Sequence, residues 1–268
     1  MPAAIAKAND GRRSFLSAKR SRSQEPGALD RARDRANTRP RMHTITLEGR
    51  GPNTMSIAML ENVERALDAA GEEPLVVTGA GTAFSAGLDL DALATMDGNG
   101  VRDLLVLMER VTLRLFLHPA PTVALINGHA IAGGCLVSQA CDVRIAVQDP
   151  KLRIGMTGVA IGLTYPPFVL DVLGARLTAP AVERVLLSAE RFDVEDAEHL
   201  GLVDETLERE AAVARAAHVL AARAALPRAS YAATKLALRR PRIDASAAAR
   251  TAFLEEIVPR WTSALVRR

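Results

Sequence analysis

Gly133 and Gly134 stand where a strand-like apolar run gives way to a helix-like one. Pro121-Thr122-Val123-Ala124-Leu125-Ile126 reads as a buried strand, Asn127-Gly128 is a turn signal, and Cys135 to Ala140 is a short apolar helix. Residues without side chains at a helix start let a ligand approach the backbone closely. They also leave the first-turn N–H groups free to point at negative charge. That is a recipe for holding an oxyanion. The same pair equally serves plain close packing of helix on strand.

Other residues with chemical capacity are scattered. Ala83-Phe84-Ser85-Ala86-Gly87-Leu88-Asp89-Leu90 is a second stretch of small residues that brings backbone near a neighbour, and Asp89 suits a helix N-cap. His118 ends an apolar helix, where the dipole favours a proton. His129 packs beside a strand end, and His199 follows a surface helix pattern. Glu109 sits inside an apolar helix and has a route to a pocket from that side.

These residues need elements to hold them. His43-Thr44-Ile45-Thr46-Leu47 alternates as a half-buried strand. Ser56 suits the N-cap of a helix with Ile57, Leu60, Val63 and Leu67 on one face. A strand over 75–78 ends in Gly79-Ala80-Gly81, and 95–100 is a loose loop. Val101 to Leu117 is a helix burying Leu104, Leu105, Met108, Val111 and Leu115, stopped at His118-Pro119. Beyond the glycine pair, 143–147 is a strand and 151–162 a short glycine-punctuated apolar segment. Pro166-Pro167 precede a helix ending near Gly174. Helices follow over 179–188 and 194–200, Gly201 to Glu205 reads as a strand, and 211–226 is an alanine-rich helix with two more beyond it. Strand–helix units thus fill the first two thirds and helices the last, an α/β fold. The expected divisions are a leader over 1–41, a core over 42–200 and a helical region over 201–268.

Composition narrows the class. The 268 residues are 49% hydrophobic but only 3% aromatic, so Ala, Leu and Val must pack the core. Residues 1–41 carry 11 Lys/Arg against 4 Asp/Glu, a net of +7, while the remainder has 23 against 27, a net of −4. The globular part is mildly acidic, which argues against a nucleic-acid-binding core. The leader lacks periodicity and reads as disordered. It is either an organellar transit peptide or an over-extended start ahead of Met42, the second being favoured because folding signals begin there. Cys135 and Cys141, six apart in one apolar segment, are too far apart on a helix to bridge. They suit the core of a protein in a reduced, cytoplasmic compartment. No apolar run approaches a membrane span, no secretory signal is visible, and no metal site is expected.

Four motifs in register carry a resemblance. They are Phe84-Ser85-Ala86-Gly87-Leu88-Asp89-Leu90, Asn127-Gly128-His129-Ala130-Ile131-Ala132-Gly133-Gly134-Cys135, Cys141-Asp142, and Ala197-Glu198-His199-Leu200-Gly201-Leu202-Val203-Asp204. Through them the chain, over about residues 42–268, resembles the crotonase superfamily of enoyl-CoA hydratases and isomerases. The resemblance implies a spiral of ββα units with a C-terminal helical region that builds trimers, often paired into hexamers. It implies an acyl-CoA (or acyl-carrier) thioester as partner, with coenzyme A part of the substrate and no other cofactor. Fatty acid metabolism is the setting. The backbone N–H groups of Leu88 and Gly133 would grip the thioester oxygen. Ala86, Gly134, Leu136 and Gly158 would line the substrate, with Asp89, Leu90 and the Asn53 region near the coenzyme A nucleotide.

One departure bears on the reaction. The family's hydratases use two glutamates as base and acid. Leu136 stands at the first of these positions and Gly158 at the second, while Pro166 stands where another isomerase pattern places an aspartate. Between Val143 and Leu170 the one carboxylate is Asp149. Hydration by the usual pair is therefore not expected. Loss of CO₂ from a malonyl-type thioester reaches the same enolate without a base. The segment from Met156 to Tyr165 is similar to that of methylmalonyl-CoA decarboxylases, which carry a tyrosine where Tyr165 stands but a histidine where Leu88 stands. Tyr165 also suits a packed ring before a Pro-Pro turn. A decarboxylase and a catalytically inactive acyl-CoA-binding subunit are the alternatives to a hydratase or isomerase.

Overall fold

The alternation in β1 (His43–Leu47) survives folding, with Ile45 and Leu47 buried and Thr44 and Thr46 exposed, the period of two that a half-covered strand shows. The structure, a computed structural model, describes residues 42–259 and 261. The leader expected over 1–41 lies outside the described residues. β1 pairs in parallel with β3 (Leu75–Gly79), β3 with β5 (Thr122–Ile126), β5 with β7 (Val143–Val147), and β7 with β9 (Glu205–Leu207). Every residue of β7 is buried, as in a parallel sheet covered on both faces.

A two-residue strand follows each of the first four long ones: β2 (Thr54–Met55), β4 (Gly87–Leu88), β6 (Ala130–Ile131) and β8 (Ile154–Gly155). β2 pairs with β4 and β6 with β8, again in parallel, and a bridge between Ser85 and Ala130 links the two pairs. Helix α1 (Ile57–Ala70) closes the first such unit, α2 (Leu90–Ala94) and α3 (Gly98–Phe116) the second, and α4 (Gly133–Ala140) the third. The chain thus climbs as a spiral of ββα units, in agreement with the expected fold class. Asparagines tie successive turns together. Asn127 donates from Nδ2 to Gly79 O (2.9 Å) and Gly81 O (3.0 Å), and its Oδ1 accepts from the Gly79 N–H (3.0 Å).

Local chemistry sets the helix starts. Ser56 caps α1 by accepting from the Met59 N–H, and Asp89 caps α2 by accepting from the Ala92 N–H. Helix α3 buries Leu104, Leu105, Met108, Val111 and Leu115. It starts at Gly98, inside the segment expected to be a loop. The Asp97 carboxylate accepts from the Gly100 N–H at 2.7 Å, and that cap offsets the cost of about 1 kcal/mol for each helical glycine. The strand expected at 201–205 also lies later, at β9. Leu202 and Val203 are buried because they plug the core beside α7 (Val194–His199), whose Ala197 carbonyl accepts from both their N–H groups. Sheet pairing begins only at Glu205, opposite Ile145.

Helices α5 (Pro167–Gly174), α6 (Ala179–Leu187), α8 (Arg209–Ala224), α9 (Arg228–Ala245) and α10 (Ala247–Ala252) follow, with a π-helical turn at Phe253–Ile257. Pro167 occupies the first turn of α5, where its missing N–H costs nothing. The sheet divides the apolar interior. α1, α3 and α4 belong to the larger cluster, while Ala212, Ala216, Val219 and Leu220 of α8 cover Val123, Val143, Ile145 and Val147 on the other face. α9 docks through charge. Lys235 Nζ lies 2.6 Å from the Asp142 carboxylate and donates to His118 O and Ala120 O, both at 2.7 Å. Arg239 reaches Asp142 at 2.7 Å and also the Phe116 carbonyl, and the Tyr231 hydroxyl donates to Asp142 at 2.7 Å. Both cysteines are buried free thiols. No helix among the described residues is long and apolar enough to cross a membrane.

Candidate active site

Strand β4 and the start of α4 converge on one point. Ala132, the N-cap of α4, is held at φ 50°, ψ −111°, a region that L side chains rarely adopt and that stores strain. The first intrahelical bond runs from the Leu136 N–H to Ala132 O at 2.9 Å. The N–H groups of Gly133, Gly134 and Cys135 therefore have no partner within the helix. Beside them, a Cβ on Gly87 would lie 2.8 Å from Gly133 N and 2.9 Å from Ala132 Cβ, and Gly87 itself has φ 81°. Only glycine allows this approach. The Asp89 N–H donates to Met55 O on β2 (3.1 Å). Successive N–H groups of an extended strand point to opposite sides, which turns the Leu88 N–H away from β2, toward the side where α4 begins.

A cavity of about 90 Å³ opens at this point. Seven of the ten residues singled out in the sequence line it: Ala86, Leu88, Leu90, Gly133, Leu136, Gly158 and Tyr165. Ala132, Thr157 and Trp261 also line it, with roles the sequence did not signal. Trp261 arrives from the far end of the chain and Ala132 serves through a backbone conformation, so neither has a local pattern. No Asp, Glu, His, Lys or Arg is among the described lining residues. The wall is apolar apart from backbone, Thr157, Tyr165 and the Trp261 indole.

Tyr165 is tied to Gly158. Its hydroxyl accepts from the Gly158 N–H at 2.9 Å, and a Cβ on Gly158 would lie 2.8 Å from its ring. Burial raises the phenol above its ordinary value, against the opposing hydrogen bonds from the Gly158 and Val159 backbone, so it stays protonated at neutral pH.

Three of the ten do not line the cavity. Asn53, at φ 58°, donates to Ala80 O (2.9 Å) and Ala83 O (2.8 Å) and pins the neighbouring loop. Asp89 is spent on capping and on Arg50, 3.0 Å away. Its cap to Ala92 is the main cause holding its carboxyl below the usual range. Gly134 serves packing, since a Cβ there would meet Ser85 O at 2.2 Å.

The remaining polar candidates stand elsewhere. His118 hydrogen-bonds Glu73 O at 2.8 Å, and burial lowers its proton affinity, so desolvation overrides the helix-end effect expected for it. His129 is exposed and accepts the Arg153 N–H (3.0 Å), and His199 bonds Glu195 O (2.8 Å). Glu109 pairs with Arg250 at 2.7 Å. It lines a separate groove of about 870 Å³ between α1, α3 and α10. Among the described residues, no group of three or more His, Cys, Asp or Glu is placed to hold a metal.

The chain is similar to known proteins in sequence and in fold. The model of the enoyl-CoA hydratase/isomerase family matches residues 39–258. Rat mitochondrial enoyl-CoA delta isomerase 1 is 28% identical over 207 residues, 76% of this chain and 69% of that protein. Chicken ethylmalonyl-CoA decarboxylase is 29% identical over 157 residues, 58% of this chain and 51% of that protein. The crystal structure of an enoyl-CoA hydratase from Mycobacterium ulcerans superposes with a TM-score of 0.74 at 30% identity, covering 80% of this chain and 94% of that one. The chain spans 62% to 69% of the length of the first curated relatives it matches.

Proposed function

The chain belongs to the enoyl-CoA hydratase/isomerase family, and from that premise we propose that it binds an acyl-CoA thioester and stabilises its enolate between the backbone N–H groups of Leu88 and Gly133. The observation that carries this reading is the contact of β4 with the start of α4, close enough that Gly87 admits no side chain. As charge develops on the thioester oxygen, donors already in place need no reorganisation. The helix start adds its own positive potential, and one such donor is typically worth about 10²–10³ in rate. The acyl group would enter the apolar cavity, and coenzyme A is the carrier portion of the substrate. Trimers, or hexamers of paired trimers, are the proposed assembly.

A second reading follows from the cavity wall, which has no carboxylate among its described residues to act as a base. A malonyl-type acyl group needs none. The bond between the α-carbon and the carboxylate breaks, CO₂ leaves, and the electron pair stays as the enolate held by the two N–H groups. The α-carbon then takes a proton from the Tyr165 hydroxyl or from water. The similarity to a protein named an ethylmalonyl-CoA decarboxylase supports this reading.

Purified protein offered crotonyl-CoA and methylmalonyl-CoA separates the outcomes. CO₂ release from methylmalonyl-CoA is the expected result for decarboxylation, with slower protonation of the enolate, and so slower turnover, in Tyr165→Phe. Rapid hydration of crotonyl-CoA would overturn the importance given to Leu136 and Gly158. Tight thioester binding without turnover of either compound would identify a binding subunit. Gly87→Ala should weaken thioester binding or turnover at least tenfold. An unaffected variant would remove β4 from the proposed site.

A further inference from the structure

Where α5, α8 and α9 meet, an open cavity of about 720 Å³ is lined by Arg176, Arg223, Lys235, Arg239 and Arg242 and by a single carboxylate, Asp142. This cavity is distinct from the acyl cavity and shares no lining residue with it. Its floor is buried: the side chains of Asp142, Lys235 and Arg239 are 4%, 5% and 9% exposed, and that of Arg176 is 14% exposed. Three sheltered cations therefore share one sheltered anion. Buried charge is tolerated when paired, and here positive charge is in excess. Burial and repulsion from Arg239 and Arg144 lower Arg176 to about 9, and burial lowers Lys235 to about 8 against the pull of Asp142.

The donors divide into two tiers. Lys235 spends its three N–H bonds on His118 O, Ala120 O and Asp142, so it offers charge but no further bond. Arg242 is exposed and forms no hydrogen bond or ion pair among the described residues. Arg223 shares a hydrogen bond with the Tyr231 hydroxyl. These two guanidinium groups belong to the same cavity as the buried charges. Leu226 and Leu238, 50% and 76% exposed, add apolar surface beside them.

We propose that this cavity binds the phosphate group of a small phosphorylated molecule. A tetrahedral dianion offsets the surplus charge, and its oxygens match the planar fork of arginine. Arg223 and Arg242 donate to it, Lys235 and Arg239 supply charge from below, and the two leucines face the organic portion.

Calorimetric titration of the full chain at fixed ionic strength tests this, with inorganic phosphate and phenyl phosphate as ligands and chloride as reference. Saturable binding of one phosphate per chain is expected. The double variant R223Q/R242Q should weaken it at least about tenfold, the size of one lost charge-assisted hydrogen bond. Arg242 is exposed, Arg223 is half-buried, and neither bonds Asp142, so the variant leaves the Lys235 and Arg239 pairs with Asp142 in place. Tighter binding of phenyl phosphate that L226S/L238S reduces identifies the phosphate of an organic molecule. Equal affinity for both ligands identifies the free anion. Heats no larger than those of chloride, or phosphate affinity unchanged in R223Q/R242Q, overturn the proposal.

Discussion

The Tyr165 ring occupies the space that a side chain at position 158 would need, with only 2.8 Å between the ring and a Cβ built on Gly158. The two residues form one unit, and a substitution at either is read through the other. Gly158→Ala should destabilise by about 1–3 kcal/mol through overpacking, and Tyr165→Leu should relieve most of that cost. A double-mutant cycle by urea denaturation should give a coupling of about 0.5–3 kcal/mol, whereas additive effects would show that the contact carries no energy. The same geometry bears on restoring a base. Gly158→Glu should yield isomerisation of a β,γ-enoyl thioester only when Tyr165 is also reduced to a smaller residue. Activity in the single variant would show that the ring moves aside freely. The absence of glutamate at 136 and 158 is plain in the sequence. The neighbour seven positions on that fills the vacated space is not, because it depends on how the 158–161 turn folds back.

Elements in this protein are fixed by single polar side chains at their ends, and Asp142 has the largest such role. It lies between the end of α4 and β7 and collects Lys235, Arg239 and Tyr231 from α9. Burial alone would raise its carboxyl, but the charges of Lys235 and Arg239 outweigh burial and hold it below its ordinary value. A depressed carboxyl contributes stability that is complete above the unfolded value, about 3.9, and is lost as pH falls through the folded one. Asp142→Asn should cost about 3–5 kcal/mol near neutral pH by stranding buried cations. It should also flatten the fall in denaturation midpoint below pH 4. An acid limb identical to that of the parent protein would assign the acid sensitivity to other carboxylates. Sequence patterns located most elements because caps and apolar spacing are local: Ser56 and Asp89 cap the helices that follow them. The two displaced boundaries have non-local or competing causes. Asp97 overrode the glycines behind it, and Leu202 and Val203 are apolar for the sake of the core beside α7 rather than for a sheet.

At the scale of the whole molecule, the candidate site arises because consecutive units of the spiral are stacked in register, so that β4 of one meets the start of α4 in the next. The repeat was legible as strand–helix alternation, and its motifs pointed to Leu88 and Gly133. What sequence did not disclose is the stapling: Asn127 looked like a turn former, yet its amide bonds the preceding turn across 46 and 48 residues. Nor did it disclose that Trp261 returns from the end of the chain to the cavity wall. Both are long-range contacts with no periodic signature.

The partition of the interior by the sheet has a consequence for how the protein comes apart. The face covered by α8 is held by two alanines, a valine and a leucine against four sheet residues, and short side chains forfeit little on exposure. That layer should open by itself, at a free energy below that of global unfolding. In hydrogen–deuterium exchange, amides of α8 should lose protection earlier than those of β5 and β7, with a weaker dependence on denaturant. Identical protection in all three would mean that both layers melt as a single cooperative unit. If α8 does lift first, the far face of the central strands is bared while the turn at Gly133 on the other face is still intact, so the candidate site outlasts the layer behind it.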